Sequence, residues 1–226
     1  MTVPKTRRIT ENIKSGLLVT MIVIGLHVHA YRAHAEGYES IIVAGGCFWC
    51  VEKDFESVAG VIEATSGFTG GETANPTYRQ VGKGTTGHLE AVRVEYDPKR
   101  ISARRLYDLF FRSIDPTDAG GQFCDRGESY TTAVFVKNAA QRTEAEAAKA
   151  AAQSELGRTI VTPIRSAGEF YPAEAYHQNY YKGTKRVITR FGIKSQAEAY
   201  KAYRKACGRD ERLKELWGDG VPLIIY

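Results

Sequence analysis

Two rhythms of apolar and polar residues alternate along most of the chain. Ile41-Ile42-Val43-Ala44 is an unbroken apolar run, the pattern of a strand buried on both faces. Gly45-Gly46 then permits a sharp turn. After it, Phe48, Val51, Phe55 and Val58 recur at helical spacing beside the charged Glu52, Lys53, Asp54 and Glu56. This predicts a strand over 40–44 and a helix over 47–58. Residues 61–68 read as a second strand. Residues 69–87 form a long loop rich in turn formers, and loops of that length in a compact domain are usually functional. Strand alternation returns over 90–96 and stops at Asp97-Pro98. Ser102 is placed to cap a helix over 103–114, with Leu106, Leu109, Phe110 and Ile114 on one face. A second glycine-rich loop covers 115–128. A strand over 130–136, an alanine-rich helix opened by Asn138 and running to Leu156, and a short strand over 159–165 follow. Residues 170–181 are crowded with aromatics and fit no single period.

This order of elements predicts an α+β fold, a two-layer sandwich of a mainly antiparallel sheet with helices packed against it. The core spans about residues 40–190, and 191–226 read as an extended, charged C-terminal tail. No internal repeat or low-complexity segment occurs.

The first 35 residues look different. Lys5, Arg7, Arg8 and Lys14 precede an apolar run over 16–26, and Ala33-His34-Ala35 supplies small residues at A-x-A spacing. That is the pattern of a secretory signal peptide with cleavage after Ala35, and it predicts a periplasmic or secreted protein. The alternative is an uncleaved anchor, for which the run is short. The segment also carries most of the excess charge. The whole chain has a net charge of +5, whereas residues 36–226 hold 26 basic and 25 acidic residues. A balance of +1 with no basic patch argues against a nucleic-acid partner. Only His88 and His177 then remain as imidazoles.

Four cysteines stand after the signal, at 47, 50, 124 and 207. A mature chain of this length buries a core without covalent staples, and a bond between Cys47 and Cys50 braces little chain, so redox work is the better reading of that pair. A lone C-x-x-C also fits a thioredoxin-like thiol–disulfide oxidoreductase or half a zinc site. Zinc needs a second close pair of ligands, and Cys124, Cys207, His88 and His177 stand singly. A thiol at a strand-to-helix turn meets unpaired N–H groups and the positive end of the helix dipole, which favour its thiolate. Phe48 and Trp49 beside it suggest a pocket for a small apolar group. Glu90 sits at the mouth of a strand just after the first loop, where a solvated glutamate is the ordinary alternative. Tyr78 and Tyr130 have core packing as theirs, and Asp125 a turn.

At these residues the chain resembles a known family. Gly45 with Cys47-Phe48-Trp49, Asn75-Pro76-Thr77-Tyr78, Gly87-His88-Leu89-Glu90, Asp115-Pro116-Thr117, Asp125 through Tyr130, and Tyr176-His177-Gln178 recur in this order in A-type peptide methionine sulfoxide reductases. The resemblance extends over roughly residues 40–217. It implies a ferredoxin-like core and reduction of methionine-S-sulfoxide, free or in proteins. Carried over by position, Cys47 is the nucleophile, Glu90 the proton donor, Tyr78 and Tyr130 the groups that bind the sulfoxide oxygen, and Asp125 their support. Phe48 and Trp49 wall the methyl pocket. It also implies a Cys47 sulfenic acid resolved by a second cysteine. Cys207 is the first choice for that role, with Cys50 and Cys124 as alternatives. No metal or bound cofactor is expected, and a thioredoxin-like dithiol is the expected electron donor to a monomer with no membrane association once the signal is removed. Cys124 departs from the family, many of whose members carry Asn there. The rival readings are a thiol–disulfide oxidoreductase and an exported binding module for oxidised or Met-rich peptides.

Overall fold

The computed structural model describes residues 37–218. The expected signal peptide at 1–35 therefore lies outside the described residues. The chain divides after Tyr38, and the second unit carries the fold. Strand β1 (Glu39–Gly45) leads through Gly46 and Cys47 into helix α1 (Phe48–Glu56). Strand β2 (Val61–Thr69), a one-turn helix α2 (Tyr78–Val81), strand β3 (Leu89–Tyr96) and helix α3 (Ala103–Arg112) follow. A small hairpin, β4 (Gly121–Gln122) with β5 (Asp125–Arg126), precedes β6 (Thr132–Val136), helix α4 (Ala139–Leu156), β7 (Ile164–Ser166) and β8 (Tyr171–Pro172). Apart from the β4–β5 hairpin, these strands form one sheet in the order β7-β6-β1-β3-β2-β8. The inner four run β6-β1-β3-β2 with every neighbour antiparallel, which is the ferredoxin-like arrangement. Among the described residues, only the edge strand β7 is parallel to its strand partner.

The helix caps match the sequence. Ser102 accepts from the Arg105 N–H at 3.2 Å, Asn138 accepts from Gln141 at 2.9 Å, and Gly157 closes α4 in the left-handed region. Ile41, Val43, Val92 and Val94 face the helices. They meet Val51 and Phe55 of α1 and Leu106 and Phe110 of α3. Ile42, Ala44, Leu89 and Ala91 line the opposite face, beneath Phe170. Both faces of β1 are thus covered, as its unbroken apolar run requires. Period two then puts Glu90 on the helix face of β3, level with Val92 and Val94 and opposite Phe68 of β2.

The structure differs from the sequence reading in three places. The strand expected over 159–165 occupies Ile164–Ser166. Glu52 and Asp54, expected on the outer face of α1, are fully buried. For Asp54 the reason lies in the third difference. Where a tail was expected, residues 186–217 form a hairpin, β9 (Arg186–Thr189) with β10 (Gly192–Ser195), and two helices, α5 (Gln196–Ala206) and α6 (Arg209–Trp217). These helices supply the partners that a charged outer face of α1 needs. Arg204 donates to Asp54 at 2.8 Å and to Asp210 at 2.7 Å, while being only 8% exposed itself. Arg209, 1% exposed, donates to the backbone carbonyls of Ser113 at 2.7 Å and Gly45 at 3.3 Å. Glu52 instead accepts from Ser66 Oγ at 2.6 Å and from the Asn179 N–H. Among the described residues, no helix is long and apolar enough to cross a membrane.

Removing Arg204 leaves the Asp54 carboxylate buried with one direct donor lost. Arg204→Ala is expected to cost about 3–5 kcal/mol, the usual penalty for breaking a buried pair from one side. A lower urea midpoint at unchanged m value will measure it.

Candidate active site

The site begins at the turn between β1 and α1. Gly46 has φ +79°, and a Cβ on it would come within 2.5 Å of Gln122 Cβ. Gln122 cannot yield easily. It is fully buried and bridges the N–H and carbonyl of Asp115, both at 2.8 Å. The β4–β5 hairpin is therefore pressed against the turn, and Cys47 takes the N-cap position of α1. An N-cap residue normally satisfies an open helix N–H with its own side chain. Cys47 does not. The Phe48 N–H donates to Glu90 Oε2 at 3.0 Å instead. That bond ties strand β3 to the Cys47 turn and points the Glu90 carboxyl at the end of the helix.

Cys47, Phe48, Trp49, Cys50, Tyr78, Glu90, Asp125 and Tyr130 all border one cavity of about 410 Å³. All the predicted site residues thus come together. The rings form a continuous wall. Phe48 lies 5.9 Å from Tyr78 and 5.2 Å from His177. Trp49 stacks on Tyr180 at 3.8 Å, with 6° between the planes. Its Nε1–H donates to His177 Nδ1 at 3.2 Å. Burial pulls His177 down to about 4, so it stays neutral and can accept that bond. His177 is buried against Phe48 and Trp49 and supports both rings.

The electrostatics separate the groups. Burial pushes Glu90 up to about 8, partly opposed by the Phe48 N–H. It is then a protonated acid at neutral pH. Tyr78 and Tyr130 stand on the wall of the same cavity as Glu90. Burial first, and charge on Glu90 second, raise both, so they remain donors. Burial also raises Asp125, against the pull of Arg209 and Arg190.

The thiols do not follow the sequence expectation. Cys47 was expected to ionise readily at the helix end. Its hydrogen bond to Cys50 raises it well above the ordinary thiol value, with burial adding to this. The same bond pulls Cys50 down to about 7, against burial, and Arg209 and Arg204 add to the pull. The Phe48 N–H at this helix end is spent on Glu90 and does not serve a Cys47 thiolate. The two thiols titrate as a pair, and Cys50 is the partner that ionises more readily.

Cys207 does not face Cys47 as a free thiol. It caps the end of α5 and is disulfide-bonded to Cys124, with Cα atoms 4.8 Å apart. Cys124 is exposed at the β4–β5 turn, where Phe123 takes φ +54°. Both cysteines border the same cavity. Cys124, Asp125 and Cys207 bring metal-ligand atoms within 4.8 Å of one another, but the two sulfurs are bonded to each other and offer no thiolates. Sequence reasoning missed Arg204 and Arg209, because a run of alternating charges carries no sign of burial.

Comparison with known proteins gives one consistent result. The family model described as peptide methionine sulfoxide reductase matches residues 39–210. A Rhizobium meliloti protein named peptide methionine sulfoxide reductase MsrA 2 is 47% identical over 204 residues, covering 90% of this chain and 93% of the relative. A Caulobacter vibrioides protein of the same name is 49% identical over 181 residues, 80% of this chain and 86% of that one. Among solved structures, reduced Mxr1 from Saccharomyces cerevisiae superposes with a TM-score of 0.61 at 33% identity, over 64% of this chain and 84% of that one. Methionine sulfoxide reductase A of Corynebacterium diphtheriae gives 0.57 at 33% identity, over 64% and 74%.

Proposed function

The chain belongs to the peptide methionine sulfoxide reductase family and carries out thiol-dependent reduction of methionine sulfoxide, and from that premise we propose how its residues divide the chemistry. Cys47 is the nucleophile, Glu90 the acid, and Tyr78 and Tyr130 hold the sulfoxide oxygen, with Asp125 beside them. Phe48 and Trp49 enclose the methyl group. The observation that carries this assignment is the Phe48 N–H to Glu90 bond at 3.0 Å, which fixes a buried acid beside the Cys47 turn.

A sulfoxide sulfur accepts a thiolate only as its oxygen is protonated. Cys50 takes the proton from Cys47, and the Cys47 sulfur attacks the substrate sulfur. Glu90 gives its proton to the oxygen. The substrate S–O bond breaks as the protonated oxygen passes to the Cys47 sulfur, and the transient bond between the two sulfurs breaks with its electron pair going to methionine. Methionine leaves and Cys47 is left as a sulfenic acid. Cys50 returns its proton to Glu90. Its thiolate then attacks the Cys47 sulfur, forming the Cys47–Cys50 bond, while the S–O bond breaks and the oxygen departs as water with the Glu90 proton. Cys50 is assigned as resolving cysteine because it stands within one turn of Cys47, its N–H donating to the Cys47 carbonyl at 3.0 Å on the wall of the same cavity, whereas Cys207 is bonded to Cys124. A dithiol of the thioredoxin type restores the pair. The N-terminal segment is assigned as an export signal removed after Ala35, which places the protein in the periplasm or outside the cell, acting as a monomer.

The test is reduction of the separated S and R epimers of N-acetylmethionine sulfoxide with dithiothreitol. The S epimer is expected to be consumed and the R epimer left. Reduction of insulin disulfides without sulfoxide turnover would establish the thiol–disulfide oxidoreductase reading instead. Binding without turnover would establish the binding module.

A further inference from the structure

Beside the cavity stands an apolar surface that the reaction itself does not use. Register pairs Ile188 of β9 with Ile193 of β10 directly across the hairpin, so both side chains share one face. They are 90% and 62% exposed. The opposite face is anchored, with Val187 packed against the cluster of Cys50, Tyr180, Ala199 and Tyr200. The tip is held as well. Arg190 lies over Phe191 at 4.8 Å and over Tyr203 at 5.4 Å, and Phe191 meets Tyr203 edge-on at 5.3 Å. The two isoleucines are thus presented to water by a fixed hairpin. Ile188 stands on the rim of the cavity that Cys47 borders, and Ile193 lies just beyond it.

We propose that this face seats the polypeptide that carries the oxidised methionine, with apolar neighbours of the sulfoxide covering Ile188 and Ile193. The proposal rests on the reading that the cavity takes the sulfoxide side chain. Once that side chain is inserted, the main chain must leave over the rim, and on this side the rim includes Ile188, whose cross-strand neighbour is Ile193. Methionines from protein interiors have apolar sequence and spatial neighbours, and covering exposed apolar area is favourable in proportion to the area. The substrate class that fits is an unfolded or extended segment with aliphatic residues flanking methionine sulfoxide. A free amino acid fills the cavity and gains nothing from the face.

The experiment compares kcat/KM, with dithiothreitol as reductant, for three S-sulfoxide substrates: N-acetylmethionine sulfoxide, a peptide with Leu and Val flanks, and a peptide with Ser and Gly flanks. The readout is the ratio of the apolar-flanked peptide to the N-acetyl compound. In Ile188→Ser/Ile193→Ser that ratio is expected to fall about tenfold, as loss of two apolar contacts implies, chiefly through KM. Ile193→Ser alone is expected to lower it by a smaller factor and leave N-acetyl turnover unchanged. An unchanged ratio, or equal losses on both peptides, would overturn the proposal. So would a loss seen only when a protein dithiol replaces dithiothreitol, which would assign the face to the reductant. If the wild-type protein fails on N-acetylmethionine sulfoxide, the reading of the cavity fails instead, and the two failures are distinct.

Discussion

Cys47→Ser is expected to abolish methionine formation, lowering the single-turnover rate by on the order of 10⁴ or more, because a hydroxyl at neutral pH is a far poorer nucleophile than a thiolate. The residue sits at an N-cap, and serine is among the best residues there, so the variant should fold at least as well as the parent. Loss of activity will then report chemistry and not structure. Cys50→Ser supplies the contrast. Its Cys47 sulfur still attacks, more slowly without the neighbouring thiolate as base. The chain should release one equivalent of methionine per site and stop at a sulfenic acid. Rapid quench with a dithiol-free buffer, and trapping of the sulfenic acid with dimedone, separates the two variants. Methionine from Cys47→Ser, or a Cys47–Cys207 bond after one turnover of the wild type, would remove the proposed assignment.

Glu90→Gln is expected to slow the same step by about 10²–10⁴-fold, the range for loss of a positioned acid. Glutamine keeps a carbonyl that can accept from the Phe48 N–H, so the turn and the strand should stay tied. It cannot release a proton to the leaving oxygen. The pH dependence follows with a definite sign. Glu90 must be protonated to act, and burial holds it up to about 8, so the rate should fall as pH rises through that value. Cys50 must be ionised to accept the Cys47 proton, and it is held at about 7, so the rate should fall as pH drops through that value. The wild-type profile is a narrow bell between the two, belonging to the coupled set of groups. In Glu90→Gln the alkaline limb should disappear while the acid limb remains. A persistent alkaline limb would assign it to another group.

Much of the catalytic half could be read from the residues. The strand before Cys47 and the helix after it announce themselves by a change from a continuous apolar run to helical spacing, and Glu90 follows from period two along β3. The caps at Ser102 and Asn138 are local chemistry and were legible as such. What could not be read depends on distant contacts. Asp54 and Glu52 look solvated because a charged residue near the end of an amphipathic helix usually is, and only Arg204 and Asn179, more than a hundred positions later, make their burial possible. In the two C-terminal helices the apolar residues are mostly Ala and Tyr set among charges, a mixture that does not distinguish a docked helix from a solvated one. Buried Arg204 and Arg209 share the packing with Ala199, Tyr200 and Leu213. The ionisation of the thiols was misjudged for the same reason. The helix end was visible, but the arginines behind Cys50 and the carboxyl that occupies the Phe48 N–H were not. Nor does spacing reveal that Cys124 joins Cys207, since four cysteines allow three connectivities.

The contact between Gly46 and Gln122 bears on how such a chain can diverge over time. Any side chain at 46 collides with Gln122 and also demands an unfavourable backbone angle, while Gln122 is held by three hydrogen bonds of its own. Neither position can drift alone. A lineage that loses one must rebuild the other at once, so the loop from 115 to 130 is tethered in its ancestry to a residue some seventy positions upstream, whatever freedom its exposed tip enjoys.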